Sequence, residues 1–172
     1  MAKTVFAVSD QLTDEQKSDV LDLLKAADKE FVPPLSSRSS TTQKDLNYES
    51  DTGCMLYYEQ MIQQSFILVM EDEKVVGFLS YRKDHNLELD DEKICCDYVS
   101  TIIVSPLFRN RGLTQKMYEA LFAYRKGKAV ATRTWSQNAS HIHVLGKLGF
   151  ELVKRIVNDR GEGIDTVYYL KG

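Results

Sequence analysis

The chain has few of the residues that build a covalent or metal-bound framework: three cysteines and three histidines among 172 residues. Cys95 and Cys96 are adjacent, so on a strand their side chains would point to opposite faces. No histidine or further cysteine stands nearby at the spacing of a zinc site. We therefore expect no disulfide framework and no metal site, and reduced cysteines indicate a cytoplasmic protein.

Long apolar runs are also missing. No stretch reaches the ~18 apolar residues of a membrane span, and the N-terminal residues lack the apolar core of a secretory signal. A content of 43% hydrophobic and 27% charged residues is ordinary for a soluble globular protein. We predict one domain over residues 1–172, without membrane contact.

Positive charge is scarce in the first part of the chain. Residues 1–108 contain 10 Lys and Arg against 20 Asp and Glu, whereas residues 109–172 contain 12 against 5. This asymmetry indicates either two differently charged solvated surfaces, or a C-terminal part that binds an anion and an N-terminal part that receives a cation. Because the basic residues are scattered and the net charge is −3, we expect no nucleic-acid partner.

Apolar periodicity alternates between the spacings of strands and helices. Thr13 and Gln16 have the spacing of a capping box, and Gly149 follows an apolar helical pattern as a left-handed C-cap. The order of elements predicts a mixed α/β protein built around one sheet. The predicted elements are strand 3–8, helix 13–29, polar loop 32–53, helix 55–63, strands 65–70 and 75–82, acidic connection 83–93, strand 95–104, helix 111–124, strand 128–135, a helix from 136 or 138, and strands 150–157 and 164–170.

Residues 104–114 form the most informative stretch. An apolar strand leads to a turn at Pro106, then to a basic loop with Gly112, then to an amphipathic helix. This order places backbone N–H groups at a helix start, beside Arg109 and Arg111. Such N–H groups and the helix dipole attract anions, so the stretch predicts a phosphate or diphosphate site.

Two motifs in this chain resemble those of the GNAT superfamily of N-acetyltransferases, and the order of elements extends the resemblance to essentially the whole sequence. The acyl-CoA signature is Arg or Gln, two variable residues, Gly, one variable residue, then Gly or Ala. It matches Arg109–Thr114, except that Thr114 replaces the last small residue. The second motif is an Asn followed eleven and twelve positions later by Gly and Phe, here Asn138 and Gly149-Phe150. The resemblance implies the GNAT acyl-CoA N-acyltransferase fold, a mixed, mostly antiparallel sheet of about seven strands flanked by helices.

The resemblance also implies which residues bind acetyl-CoA. The diphosphate is expected on the N–H groups of the 110–114 loop, with a charge-assisted contact from Arg109 or Arg111. The pantetheine arm is expected along the end of the preceding strand, where an N–H group would polarise the thioester carbonyl. Asn138 either contacts the cofactor arm or simply caps its helix. The cofactor-binding residues implied are Ile102, Ile103, Val104, Arg109, Asn110, Arg111, Gly112, Leu113, Thr114 and Asn138, with no metal.

Two positions at which relatives carry a proton-transferring side chain differ in this sequence. Tyr98 stands where some members have a carboxylate base, and a tyrosine can orient a water or donate a hydrogen bond rather than act as the base. Asp97 points to the opposite face and is interpreted as structural. Leu145 stands where the leaving thiolate often meets a tyrosine. His141, one turn earlier, is the candidate replacement, with Ser140 and Tyr98 as alternatives and a purely structural histidine as the competing interpretation.

The acceptor site is the part that the sequence defines least. The resemblance places it along the loop Phe31–Asn47, with Tyr57 and Tyr58 beside it. The acidic N-terminal part favours a cationic acceptor, either a small amine or a peptide amine. Two functions stay open: an N-acetyltransferase with acetyl-CoA and an amine as partners, and a catalytically weak acyl-CoA-binding regulatory module. A nucleotide-binding domain is disfavoured because no P-loop or Gly-x-Gly-x-x-Gly turn is present. A homodimer also stays open.

Overall fold

The structure, a computed structural model, describes residues 4–38 and 53–172. Within these residues the strands form one sheet in the order β1-β2-β3-β4-β5-β7-β6, and short 3₁₀ turns occur at Asp28–Glu30, Leu35–Ser37 and Pro106–Phe108. The strands and helices are β1 (Thr4–Ser9), α1 (Asp14–Ala27), α2 (Met55–Met61), β2 (Ser65–Glu71), β3 (Lys74–Leu89), β4 (Glu92–Val104), α3 (Leu113–Tyr124), β5 (Val130–Trp135), α4 (Ala139–Lys147), β6 (Glu151–Gly161) and β7 (Ile164–Lys171).

The sheet is mixed and mostly antiparallel. β1 pairs with β2, β2 with β3, β5 with β7 and β6 with β7, all antiparallel, whereas β4 and β5 are parallel. A parallel pair needs a crossover connection, and here the crossover contains α3. The predicted fold class, a mixed sheet of about seven strands flanked by helices, is confirmed.

The chain divides into two compact units. One comprises residues 1–81 and 100–126, and the other comprises residues 82–99 and 127–172. β3 and β4 each contribute residues to both units, whereas every helix lies within one unit. The single domain over 1–172 stays a prediction. Among the helices of the described residues, none combines the length and the apolar character that a membrane crossing requires.

In the first unit, α1 and α2 pack on β2 and β3. α1 begins with the predicted capping box: the hydroxyl oxygen of Thr13 accepts from the Gln16 N–H at 3.1 Å, and the Thr13 N–H donates to Gln16 Oε1 at 3.0 Å. α1 ends at Ala27, two residues before the predicted end, because the chain tightens there into a 3₁₀ turn. The shared core includes Val20, Leu24, Tyr57, Met61, Phe66, Leu68 and Phe78.

Part of the polar loop predicted over 32–53 lies outside the described residues, namely positions 39–52. The described part is held by two polar contacts. The Ser36 N–H donates to Asp28 Oδ1 at 2.6 Å, and the buried Arg38 guanidinium donates twice to the Pro33 carbonyl, at 3.2 and 2.9 Å. Residues 28–38 are therefore held in place by polar contacts.

The acidic connection predicted over 83–93 is wrong, because these residues extend the β3–β4 hairpin. β3 continues to Leu89 and β4 begins at Glu92, with Asp90 at the turn in the left-handed conformation (φ +55°). Leu87 and Leu89 are buried, whereas Glu88 between them is exposed. Acidic residues gave the segment its loop-like composition, but Glu88 lies on the solvent face of β3 and Asp90 and Asp91 form the tight turn to β4.

In the second unit, α4 ends in the predicted glycine cap. Gly149 has φ +86°, and the Phe150 N–H donates back to the Leu145 carbonyl at 3.0 Å, as in a Schellman motif. Of the residues predicted to face inward from α4, Leu145 is fully buried and Ile142 and Leu148 are half-buried. The cap fixes the point at which the chain leaves α4 for β6.

We predict that two glycine substitutions in this region have opposite effects on stability. Gly149→Ala should lower the free energy of unfolding by about 1–2 kcal/mol, because alanine is strained at positive φ. Gly146→Ala, in the helix interior with open space around the added methyl group, should raise it by about 1 kcal/mol. Urea denaturation of the two variants against wild type measures both. Equal effects of the two substitutions would contradict the cap assignment.

Candidate functional site

The loop between β4 and α3 is shaped by two left-handed residues. After Val104, the Ser105 N–H donates to the Val76 carbonyl at 2.8 Å, and a 3₁₀ turn follows. Asn110 (φ +63°) and Gly112 (φ +70°) then adopt the left-handed conformation, with Arg111 between them. These two turns direct the chain into α3, which begins at Leu113. Gly112 is favoured because other residues are strained at this φ, and a tight turn requires it.

The start of α3 presents N–H groups that are not used by the helix itself. The first helical hydrogen bond runs from the Lys116 N–H to the Gly112 carbonyl at 3.1 Å. The N–H groups of Leu113, Thr114 and Gln115 come before it and therefore have no acceptor within α3. No side chain of the described residues caps this end. A Cβ atom at Gly112 would meet nothing within 4 Å, so the space there is open. This helix start is therefore suited to bind an anion.

Arg109 is engaged by the protein on both sides of its guanidinium group. Its Nε donates to the Val104 carbonyl at 3.1 Å, which ties the loop to the end of β4. Its Nη1 and Nη2 contact the two carboxylate oxygens of Glu30 at 2.9 and 3.1 Å. This bidentate pair balances the charge of Arg109. The geometry therefore indicates that Arg109 shapes the loop.

Arg111 is arranged differently. Its guanidinium carbon lies 4.9 Å from the centre of the Phe108 ring, and its side chain is exposed. No carboxylate pairs with Arg111 anywhere in residues 4–38 or 53–172. An aromatic face orients an arginine without neutralising it. Of the two predicted arginines, Arg111 is therefore the one whose charge is available to an anion at the start of α3.

The end of β4 carries the predicted pantetheine segment. Ile102 is half-buried and Ile103 and Val104 are buried. The parallel ladder with β5 joins Asp97–Val99 to Val130–Thr132, and β4 continues beyond it to Val104. The structure thus brings Val104 and Arg109 together directly. Thr114, which replaces the small residue of the signature, lies half-buried in the first turn of α3.

Tyr98, in the second unit, lies inside an apolar cluster and is only 2% exposed. Its ring centre lies 5.2 Å from that of His85, with the two planes inclined by 42°. His85 is not among the predicted site residues, because it falls in the segment predicted to be an acidic connection. Leu87 and Leu89 share one face of β3. Because His85 stands two residues before Leu87, strand alternation predicts that it lies on the same face. Burial, and secondarily the charge of Arg82, lower the pKa of His85, so its imidazole is neutral at pH 7.

Asp97, the neighbour of Tyr98, is buried and hydrogen-bonded within the protein. It is completely buried, and its Oδ1 accepts the Asp84 N–H at 3.1 Å. Its own N–H donates to the Ala129 carbonyl at 2.8 Å. The interpretation of Asp97 as a structural carboxylate agrees with these bonds, since a buried carboxylate requires hydrogen-bond donors.

The predicted residues of α4 are Asn138 and His141. The Asn138 side chain makes no cap hydrogen bond, and its Nδ2 instead donates to Thr134 Oγ1 at 3.0 Å. The side-chain amide of Asn138 therefore does not cap α4. His141 is half-buried, and burial lowers its pKa to about 4. Its imidazole is neutral at pH 7 and can donate a hydrogen bond, but it holds no ready proton for a leaving group.

The two tyrosines predicted beside the acceptor point into the protein. Tyr57 is fully buried, and its hydroxyl lies 2.6 Å from Thr101 Oγ1 and donates to the Ser100 carbonyl at 3.2 Å. Tyr58 is half-buried, with its hydroxyl 3.5 Å from the Lys17 carbonyl, and burial raises its pKa. Of the predicted acceptor loop Phe31–Asn47, positions 39–47 lie outside the described residues.

The three cysteines are free thiols. Cys54 and Cys96 are buried and Cys95 is exposed, and burial raises the pKa of Cys96 to about 12. Within the part of the chain that the structure describes, no group of three or more His, Cys, Asp or Glu side chains is arranged to hold a metal ion.

Comparison with known proteins decides the family. The model of the acetyltransferase (GNAT) family matches residues 24–150, which contain both motifs, Arg109–Thr114 and Asn138 with Gly149-Phe150. The chain belongs to the GNAT acetyltransferase family. The residues matched by the GNAT model include the loop and helix start described above. A sequence comparison with curated proteins gives no match.

Solved structures share the GNAT fold at low sequence identity. A GNAT-family acetyltransferase from Streptococcus agalactiae is 17% identical with a TM-score of 0.66, covering 96% of this chain and 94% of its own. The protein yncA of Salmonella typhimurium, solved with its cofactor acetyl-CoA, is 17% identical with a TM-score of 0.62 and coverages of 98% and 93%. A ribosomal-protein-alanine N-acetyltransferase from Brucella melitensis is 16% identical with a TM-score of 0.63 and coverages of 96% and 98%. At these identities the likeness concerns the fold.

We predict that the hydroxyl groups of the two α2 tyrosines contribute unequally to stability. Tyr57→Phe should lower the free energy of unfolding by about 1–2 kcal/mol, because the buried Thr101 hydroxyl loses its partner. Tyr58→Phe removes only a long, half-buried contact and should cost less than about 0.5 kcal/mol. Chemical denaturation measures both. A larger loss for Tyr58→Phe would contradict the assignment of Tyr57 to the core.

Proposed function

We propose that this GNAT protein is an N-acetyltransferase that moves the acetyl group of acetyl-CoA to a primary amine by direct attack. The observation that carries the proposal is the open start of α3, where Gly112 leaves space in front of uncapped N–H groups beside Arg111. The relative yncA, which shares the fold, was solved with acetyl-CoA. A diphosphate is the part of acetyl-CoA that such a helix start recognises.

In this proposal the donor is held in two places. The diphosphate binds the N–H groups of residues 110–114, with Arg111 supplying the charge and the hydroxyl of Thr114 adding a donor. Arg109, paired with Glu30 and bonded to the Val104 carbonyl, keeps the loop in shape. The pantetheine arm follows the backbone of Ile102–Val104 as an additional strand would, and an N–H group there polarises the thioester carbonyl. Asn138 contacts the arm.

The chemical step requires a neutral amine. The amine nitrogen attacks the thioester carbonyl, the C–S bond breaks, and the electron pair leaves with the CoA sulfur. A thiol pKa near ~8.5 makes this thiolate a tolerable leaving group without a dedicated acid. Tyr98 orients a water or the amine by a hydrogen bond, and the neutral His141 donates a hydrogen bond near the thiolate. The nitrogen loses one proton to water as the amide forms, and the thiolate takes one proton from water to become the free thiol, so the step balances.

For the acceptor we propose a cationic amine, either a small one or the amine of a peptide. The acidic balance of residues 1–108 supports this class, because it raises the local concentration of cations. The Brucella relative is a ribosomal-protein-alanine N-acetyltransferase, which makes a peptide amine a natural member of the test panel. Reduced cysteines support a cytoplasmic setting.

A second function remains in competition: an acyl-CoA-binding regulatory module with weak catalysis. Leu145, fully buried, occupies the position at which relatives often have the tyrosine that protonates the thiolate. Tyr98 also stands at the position where some relatives have a carboxylate base. Both departures would leave acetyl-CoA binding intact while slowing transfer.

We predict that Arg111→Gln raises the KM for acetyl-CoA about tenfold, equivalent to about 1.4 kcal/mol, with little change in kcat. The reason is that a single charge-assisted contact to the diphosphate is lost, and it is lost in both the ground state and the transition state. Lys126→Gln, an exposed cation just beyond α3, is the matched control and should leave KM unchanged. Initial rates of thiol release measure both. An unchanged KM for Arg111→Gln would remove Arg111 from the site.

We expect thiol release from acetyl-CoA across an amine panel to be fastest with cationic acceptors. The panel should contain polyamines, amino sugars, peptide N-termini and lysine side chains, with neutral and anionic amines for comparison. Turnover confined to neutral or anionic amines would overturn the acceptor class. Tight acetyl-CoA binding by calorimetry without turnover on any amine would favour the regulatory module.

A further inference from the structure

We propose that Glu30 is a positioning residue of the acetyl-CoA site. Its carboxylate holds the Arg109 side chain, and through it the loop between β4 and α3, in the shape that binds the donor. This role rests on the proposed N-acetyltransferase function and names a residue outside both family motifs. It adds the segment after α1 to the elements on which donor binding depends. Both residues belong to the first unit.

The Arg109 guanidinium is held by two parts of the chain that are distant in sequence. Its Nη1 and Nη2 contact the two carboxylate oxygens of Glu30 at 2.9 and 3.1 Å. Its Nε donates to the Val104 carbonyl at 3.1 Å. Because a guanidinium is planar, the two contacts with Glu30 fix the direction in which Nε points. Glu30 therefore directs Arg109 onto the Val104 carbonyl.

Glu30 lies on a short segment that is anchored on both sides. Ala27 before it and Leu35 after it are buried in one core cluster. The Ser36 N–H also donates to Asp28 Oδ1 at 2.6 Å, which closes the segment into a turn. The backbone beneath Glu30 is therefore already ordered, and the ion pair costs mainly side-chain entropy.

The loop between β4 and α3 has its own anchors at its two ends, and the ion pair supports its middle. At the start of the loop the Ser105 N–H donates to the Val76 carbonyl at 2.8 Å, and at its end Leu113 is buried. Arg109 lies between these anchors, directly before the left-handed Asn110. The ion pair therefore holds the loop at the point where it turns toward the N–H groups of α3.

Donor binding depends on the shape of this loop at two places. In the proposed function the diphosphate binds the N–H groups of residues 110–114, and the pantetheine arm follows Ile102–Val104. Arg109 stands between these elements in the chain and bonds the carbonyl at the end of the second. Since hydrogen bonds weaken steeply when their angle departs from linearity, a shift of the loop would weaken several donor contacts at once.

The charge of Glu30 and its positioning role affect donor binding in opposite directions. A carboxylate beside an anion site repels the anion, so removal of this charge would by itself strengthen binding. The side chains of Arg109 and Glu30 are 41% and 48% exposed, and salt at about 0.15 M screens exposed charges beyond about 8 Å. Salt does not offset a change in loop geometry. We therefore expect the positioning role to be the larger effect, so that loss of the carboxylate weakens binding.

The test compares Glu30→Gln with Glu15→Gln, a matched loss of one exposed carboxylate in the first turn of α1. At about 0.15 M salt, Glu30→Gln should raise the Kd for CoA, measured by calorimetry, and the KM for acetyl-CoA about fivefold each, the upper range for an exposed ion pair. The change in kcat should be less than about twofold. Glu15→Gln should match wild type.

Two results for Glu30→Gln would overturn its positioning role. A lower Kd for CoA would show that Glu30 acts only through its charge. An unchanged Kd together with a lower urea midpoint would show that Glu30 serves folding alone.

A double-mutant cycle tests whether Glu30 acts through Arg109. Arg109→Gln should weaken CoA binding at least as much as Glu30→Gln, and the double variant should bind CoA no more weakly than Arg109→Gln alone. Additive effects would overturn the role of Glu30. Failure of the proposed function gives a different result: wild type would bind CoA without transferring an acetyl group to any amine, and the Kd values would still test Glu30. Absence of CoA binding by wild type would overturn both.

Discussion

The first unit depends on one constraint, the left-handed backbone of the loop that starts α3. Gly112 at φ +70° makes the turn, and without a side chain it leaves the space in front of the helix start open. Arg109 stabilises that turn by bonding the Val104 carbonyl and the Glu30 carboxylate at once. Arg111, by contrast, lies over the Phe108 ring and pairs with no carboxylate of the described residues. The two arginines of this loop therefore differ in their contacts.

The second unit is organised by the long β3–β4 hairpin. Its alternation places Leu87, Leu89, Cys96 and Tyr98 in one apolar cluster and exposes Glu88, between the two leucines, on the other side. The His85 ring contacts that of Tyr98, and Asp97 Oδ1 accepts the Asp84 N–H. Polar residues at the centre of this hairpin thus have different partners on the two strand faces.

Much of the fold could be predicted because it follows from local patterns. The capping box at Thr13, the glycine cap at Gly149 and the acyl-CoA signature at Arg109–Thr114 are each contained within a few residues. The acidic connection over 83–93 was wrong for the converse reason. Its charges resembled those of a loop, whereas in the structure Leu87 and Leu89 are buried on β3 and the chain turns at Asp90 and Asp91. The amino-acid composition of a segment indicates how exposed it is to solvent, whereas the pairing of its strand determines which neighbour each side chain contacts.

The sequence by itself determined the family, the order of most elements and the basic loop before α3, since these rest on residue type and short-range spacing. Tertiary structure decided how individual side chains are used. The pairing of Arg109 with Glu30, distant in sequence, distinguishes it from Arg111. Burial makes His141 a neutral group with a pKa of about 4. The contact of His85 with Tyr98 also arises only when two strands pair. Charge balance, desolvation and contact depend on neighbours brought together by folding, and no local motif encodes them.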